Sequence, residues 1–167
     1  MIDTRYETSI DLPGVGSLQV RCLTAADGEL LHRLFDALSG QSKKWYRPHP
    51  PWDRATAEKL AAASEGSDDL RFLVRTVVAG ETRPVALCGL SGLRRTRPEL
   101  GIGIADEFHG KGVGQVLMGH LIETARRLGK PRIYLTVDED NPRARHVYEK
   151  SGFGIVRVIH EMELALG

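Results

Sequence analysis

Three glycines alternate in the run HGKGVG, His109 to Gly114, immediately ahead of a long helical pattern. A strand-like stretch ends near Ala105, a short acidic loop follows, and the glycines open a helix. In that helix Val113, Val116, Leu117, Leu121, Ala125 and Leu128 share one stripe, closed by Gly129 and Pro131. The first N–H groups of a helix have no intrahelical partner, and the positive end of its dipole lies there. Glycines that clear side chains from such a start predict a seat for phosphate oxygens, with Lys111 adding a cation beside it. A plain turn needs one glycine, and each further one inside the helix costs about 1 kcal/mol relative to Ala. Three therefore point to an anion-binding loop. A P-loop is excluded, because Lys111 is followed by Gly112 and not by Ser or Thr. A dinucleotide loop would want a glycine where Gln115 stands, yet Asp138 ends the next strand near a ribose-binding position. Nicotinamide binding stays open as an alternative.

Around this segment the chain reads as one domain, residues 1–167, of layered α/β or α+β class. Strands are expected at Ser17–Cys22, Leu70–Val78, Pro84–Leu93, Glu99–Ala105, Arg132–Val137 and Phe153–Leu166. Helices are expected after Thr24, with Leu30, Leu31, Leu34, Phe35 and Leu38 on one face and an end at Gly40, and at Arg54–Ala63, Gly112–Leu128 and Pro142–Lys150, with Asn141 as N-cap of the last. The segment Gln41–Trp52 carries three prolines and reads as irregular. Lys plus Arg is 23 against 22 for Asp plus Glu, which argues against a coat for nucleic acid or an anionic membrane. Only Cys22 and Cys88 are available, so a disulfide scaffold is not expected and a reducing cytoplasm is. The six histidines show no ligand spacing, and no metal is expected.

The run HGKGVG resembles the pyrophosphate loop of the GNAT superfamily of acyl-CoA N-acyltransferases: Gln or Arg, two residues, Gly, one residue, Gly or Ala. His109 stands at its first position. A second stretch, DEDNPRARHVYEKSGF, is similar to the family in Asn141, the small Ala144, Tyr148 and Gly152–Phe153. The resemblance implies a mixed sheet of about six to seven strands flanked by about four helices, splayed between the fourth and fifth strands, Glu99–Ala105 and Arg132–Val137.

It also implies an acetyl-CoA-dependent N-acetyltransferase, with acetyl-CoA as co-substrate and no metal. The pantetheine arm would lie in the splay against the backbone of Ile102, Gly103 and Ile104, brought close by the bare Gly103. The pyrophosphate would be held by His109, Gly110, Lys111, Gly112, Val113, Gly114 and Gln115, with Asn141 near the arm. A backbone N–H of the splayed strand would stabilise the oxyanion. Glu99 would help deprotonate the amine and Tyr148 would protonate the leaving thiolate. Glu99 read alone is equally a strand-end charge, and Tyr148 alone is an aromatic that packs the short helix.

Tyr46, His49 and Trp52 sit where look-alikes build the acceptor site and are candidate substrate-wall residues. The run Leu93–Arg97 reads as a solvated turn, Arg143 and Arg145 as surface cations, and His120 as a packed histidine. The expected partner is a small-molecule or peptide amine, with no nucleic acid and no membrane; a homodimer is a state that look-alikes adopt. A non-catalytic acyl-CoA-binding sensor is the rival from another class. The terminal run FGIVRVIHEMELALG alternates without a turn signal after Gly154, as one long strand or a hairpin with a tight turn near His160.

Overall fold

Alternating apolar residues in the first two-thirds of the chain build one antiparallel sheet. The computed structural model describes residues 4–46, 51–64 and 68–165. Strands β1 (Thr8–Leu12), β2 (Gly16–Cys22), β3 (Asp69–Val78), β4 (Glu81–Ser91) and β5 (Glu99–Ile104) lie side by side in chain order. Helices α1 (Gly28–Asp36), α2 (Gly40–Trp45) and α3 (Arg54–Ala62) precede β3, and α4 (Val113–Arg127) and α5 (Pro142–Lys150) follow β5. The layering is the expected one, with fewer strands and one more helix.

Register fixes what each face of the sheet carries. Phe72, Cys88 and Ile102 are aligned across β3, β4 and β5. They face α4, whose His120 meets the Phe72 ring edge-on at 5.1 Å. Leu73, Leu87 and Gly103 are aligned one residue on and point the other way, because side chains alternate along a strand. Aromatic residues of α1 and the segment after α2 cover that second face. Leu18, Val20, Phe72, Val74, Leu90, Leu117 and Leu121 are fully buried, and removing such apolar area from water is the main stabilising term.

The β3–β4 hairpin turns at Ala79 and Gly80, both left-handed, with φ of 52° and 81°. Paired positive φ values suit Asn-Gly, and Ala in that region is strained. Ala79→Asn is therefore expected to stabilise the protein by about 0.5 kcal/mol, measured as a higher urea midpoint; a lower midpoint would contradict the turn assignment.

Two expected strands are absent. The stretch 132–137 makes a single parallel bridge, Glu99 to Tyr134, and no ladder. Residues 153–165 hold no strand, so neither the long strand nor the hairpin forms there. The two departures have one cause: a strand depends on its neighbours, and without the terminal segment beside it 132–137 has a partner on one side only. Sequence reasoning also missed β1 and α2. Helix α2 starts where the Ser39 hydroxyl accepts from Ser42 N at 3.2 Å, a cap that nucleates a turn and a half before the prolines.

Candidate active site

The glycine loop connects β5 to α4. Gly110 and Gly112 take left-handed φ values of 72° and 83°, which side chains oppose. Gly114 is helical instead, and a Cβ there would touch Ile104 Cδ1 at 3.4 Å and Val147 at 3.7 Å. Backbone conformation thus accounts for Gly110 and Gly112, whereas at Gly114 a methyl group would make only ordinary contacts. What marks the site is the amides themselves. Among the described residues nothing accepts from the main-chain N–H of Gly110, Lys111, Gly112, Val113 or Gly114. Five consecutive donors without a partner thus lead into one helix start.

The side chains at either end of the loop have partners. His109 Nε2 donates to the Ile104 carbonyl at 2.9 Å, which leaves Nδ1 to accept from the Arg143 guanidinium. The ring thereby holds Arg143 beside the loop. Gln115 bonds Ser151 Oγ at 3.0 Å through its side chain, and its N–H goes to Gly112 O. Its part is to tie α4 to the end of α5. Lys111 lies over the Phe108 ring, 5.7 Å from its centroid.

The edge of β5 faces the divergence from 132–137. Leu100 N donates outward to Tyr134 O at 2.7 Å. Because ladder residues alternate in direction, Ile102 and Ile104 also turn outward, and Gly101 and Gly103 turn to β4. Ile104 O is taken by His109, so Ile102 presents an open N–H and C=O along the gap. Gly103 serves by its bareness: the space a Cβ would fill holds the Tyr46 ring, not room for a bound chain.

Tyr46 in turn meets Trp52 edge-on at 5.4 Å, and Trp52 meets Phe35 at 5.1 Å. These two candidate wall residues therefore stand together over β5; His49 lies outside the described residues. Gly101 sits between Gly103 and Glu99 on the same face, and a Cβ there would meet nothing within 4 Å. The floor is bare strand, with an aromatic wall at one end. At the other end Glu99 Oε2 accepts from Tyr134 OH at 3.0 Å, and Arg97 stacks on Tyr134 at 4.6 Å. A carboxylate at the mouth of a bare groove suits a cationic amine.

Tyr148, on α5, is half-buried against Phe153, and burial pushes its phenol up to about 12, so it stays protonated at neutral pH. No hydrogen bond among the described residues joins it to Glu99. Asn141 caps α5, accepting from Ala144 N at 3.1 Å. Its neighbour Asp140 accepts from Lys44 Nζ at 2.6 Å and Trp45 Nε1 at 2.8 Å. This clamp from α2 to the start of α5 has no sequence signal, since its members lie almost a hundred residues apart. Among the described residues no group of three His, Cys, Asp or Glu side chains is placed to hold a metal.

Tyr46 and Cys88 are also pushed up to about 12, each mainly by burial. Unfolded, the thiol and the phenols titrate at their ordinary values near 9 and 10. Between those values and about 12 the unfolded chain binds fewer protons, so stability is full below about pH 9 and falls as pH rises. The urea midpoint is expected to be clearly lower at pH 10.5 than at pH 8; equal midpoints would contradict these burials.

The family model described as Acetyltransferase (GNAT) family matches residues 31–153. The chain is 33% identical to streptothricin acetyltransferase of Streptomyces lavendulae over 91 residues, 54% of this chain and 48% of that protein. It thus spans about half the length of that relative. It is 28% identical over 137 residues to spermidine N(1)-acetyltransferase of Vibrio cholerae, covering 81% of this chain and 78% of that one. The GNAT domain of S. lividans PAT shares the fold, with a TM-score of 0.80 over 96% of this chain and 95% of the other, at 19% identity.

Proposed function

The chain belongs to the acetyltransferase (GNAT) family, and on that premise we propose that it moves the acetyl group of acetyl-CoA onto a primary amine by direct attack in a ternary complex. The observation that carries this reading is the set of five unpartnered amides, Gly110 to Gly114, next to the outward-turned backbone of Ile102. Those donors fit a diphosphate, and Lys111 and Arg143 add positive charge beside them. Acetyl-CoA supplies the activated acyl carbon. Ile102 N–H is the proposed polariser of the thioester carbonyl, a role that a fixed backbone donor fills without reorganisation.

The chemistry requires two proton transfers. The amine nitrogen loses a proton as it forms the C–N bond, and the sulfur gains one as the C–S bond breaks. Glu99 is the proposed acceptor, directly or through water, held in place by Tyr134. Tyr148 is the proposed donor, and its raised pKa keeps its proton available. Tyr46 and Trp52 form the acceptor wall, and holding both reactants in one site lowers the entropic barrier. The relatives are named for spermidine and streptothricin, which makes a cationic small-molecule amine the first acceptor class to try. A reducing cytoplasm, in which Cys22 and Cys88 remain buried thiols, is the proposed compartment.

The test is thiol release from acetyl-CoA with a panel of polyamines, aminoglycoside-like amines and peptide N-termini. Amine-dependent release with the acetylated product identified by mass is the expected result. Saturable acetyl-CoA binding with no release across the panel would instead support the sensor reading.

A further inference from the structure

Helix α2 is tethered at both ends by aspartates that stand on opposite sides of the gap beside β5. At its start, Ser39 N donates to Asp106 Oδ1 at 3.2 Å, and Asp106 N donates to the Ala37 carbonyl at 3.2 Å. Asp106 lies just past the end of β5. At the other end of α2, Lys44 and Trp45 donate to the two carboxylate oxygens of Asp140, which lies beyond 132–137 and just ahead of α5. The next residue, Tyr46, seats its ring over Gly103 of β5. Trp45 and Tyr46 therefore reach opposite lips of the gap, and the chain between them crosses it.

What this tether supplies is position. Lys44 and Asp140 are each more than half exposed, and such pairs contribute little to folding stability. Two donors on separate oxygens nonetheless fix the orientation of the carboxylate. The same hydrogen bonds, from Lys44 and then Trp45, hold its carboxyl below the usual carboxylate range, so it stays charged at neutral pH. Tyr46 itself has only ring contacts on this face, with Gly103 beneath it and Trp52 edge-on at 5.4 Å. The floor continues bare at Gly101, so nothing on the strand stops the ring from sliding. The tether one residue earlier sets where it rests.

We propose that Asp140 is a positioning residue for acetyl transfer: it holds Lys44–Tyr46 as a strap across the gap and so sets the acceptor wall over β5. The inference rests on the acetyl-transfer reading. The amine is the reactant that should feel loss of the tether, because Tyr46 and Trp52 form its wall, whereas the diphosphate seat lies at the start of α4. A shift of about 1 Å in that wall is costly where two reactants must meet in one geometry.

Proton NMR of the full chain gives a readout that needs no turnover, since the Tyr46 ring current displaces the Gly103 Hα signals from ordinary glycine values. Asp140→Ala should return those signals to ordinary values. With the amine that the thiol-release panel selects, it should raise KM for the amine about tenfold and leave KM for acetyl-CoA within about twofold. Trp45→Phe, which leaves α5 untouched, should act in the same direction. Asp140→Glu, which keeps the carboxylate, should recover most of the wild-type KM. Gly103 signals that stay displaced in both Asp140→Ala and Trp45→Phe overturn the proposal. So does a KM for the amine that does not change, or one that rises no more than KM for acetyl-CoA. If the wild-type chain transfers no acetyl group, the transfer reading falls, and the Gly103 signals alone decide whether Asp140 sets the wall.

Discussion

Tyr148→Phe is expected to lower kcat for acetyl transfer about 100-fold and to leave KM for acetyl-CoA within about twofold. The hydroxyl is the only part removed, so the ring keeps its packing against Phe153. A group that donates its proton only as the C–S bond breaks contributes to the transition state and not to binding, which predicts a loss confined to kcat. Burial holds the phenol up to about 12, so the wild-type rate should show no fall from loss of this proton at pH 10, where an ordinary tyrosine is half ionised. If Tyr148 merely packs α5, the variant keeps its rate, and that result would remove the general-acid role.

The largest stability effect is expected at Gly89, in the middle of β4. A Cβ there would overlap the Leu70 carbonyl oxygen and lie 3.0 Å from Arg71 Cα. Both neighbours are backbone of β3, and neither can swing aside as a side chain would. Gly89→Ala must therefore push β3 and β4 apart at the Arg71–Gly89 pair, at a cost of about 3 kcal/mol. For a chain of 167 residues that lowers Tm by roughly 10 °C. Gly89 pairs with Gly101, so the same opening disturbs the bare floor beside Glu99. A Tm within about 2 °C of wild type would show that the two strands are less closely packed than described.

Elements with local signals are legible in the sequence. Helix α5 runs from Pro142 to Lys150 as expected, because Asn141 caps it, Pro142 fits its first turn and Gly152 lies past its end. The α4 stripe and the β3–β4 hairpin were equally local. What escaped depends on distant partners. Helix α2 is too short for an apolar period, and its Trp45 and Lys44 are fixed by Asp140. Nor does anything near Gly103 announce that Tyr46 will lie on it.

The site shows the same division. The unpartnered amides of Gly110 to Gly114 were readable because a helix start leaves its first N–H groups without partners whatever surrounds it. The count of glycines was a poorer guide than those amides, since left-handed φ at Gly110 and Gly112 explains two of the three. The Glu99–Tyr134 bond joins residues from segments that touch at a single bridge, a contact that strand patterns alone do not specify.

Amide chemical shifts of the 15N-labelled protein during an acetyl-CoA titration test the anion seat residue by residue. The largest saturable changes should fall on Gly110 to Gly114 and on Ile102, and CoA without the acetyl group should move the same glycine signals. Saturable changes confined to other parts of the chain, or none at all, would contradict the assignment of this helix start to the diphosphate.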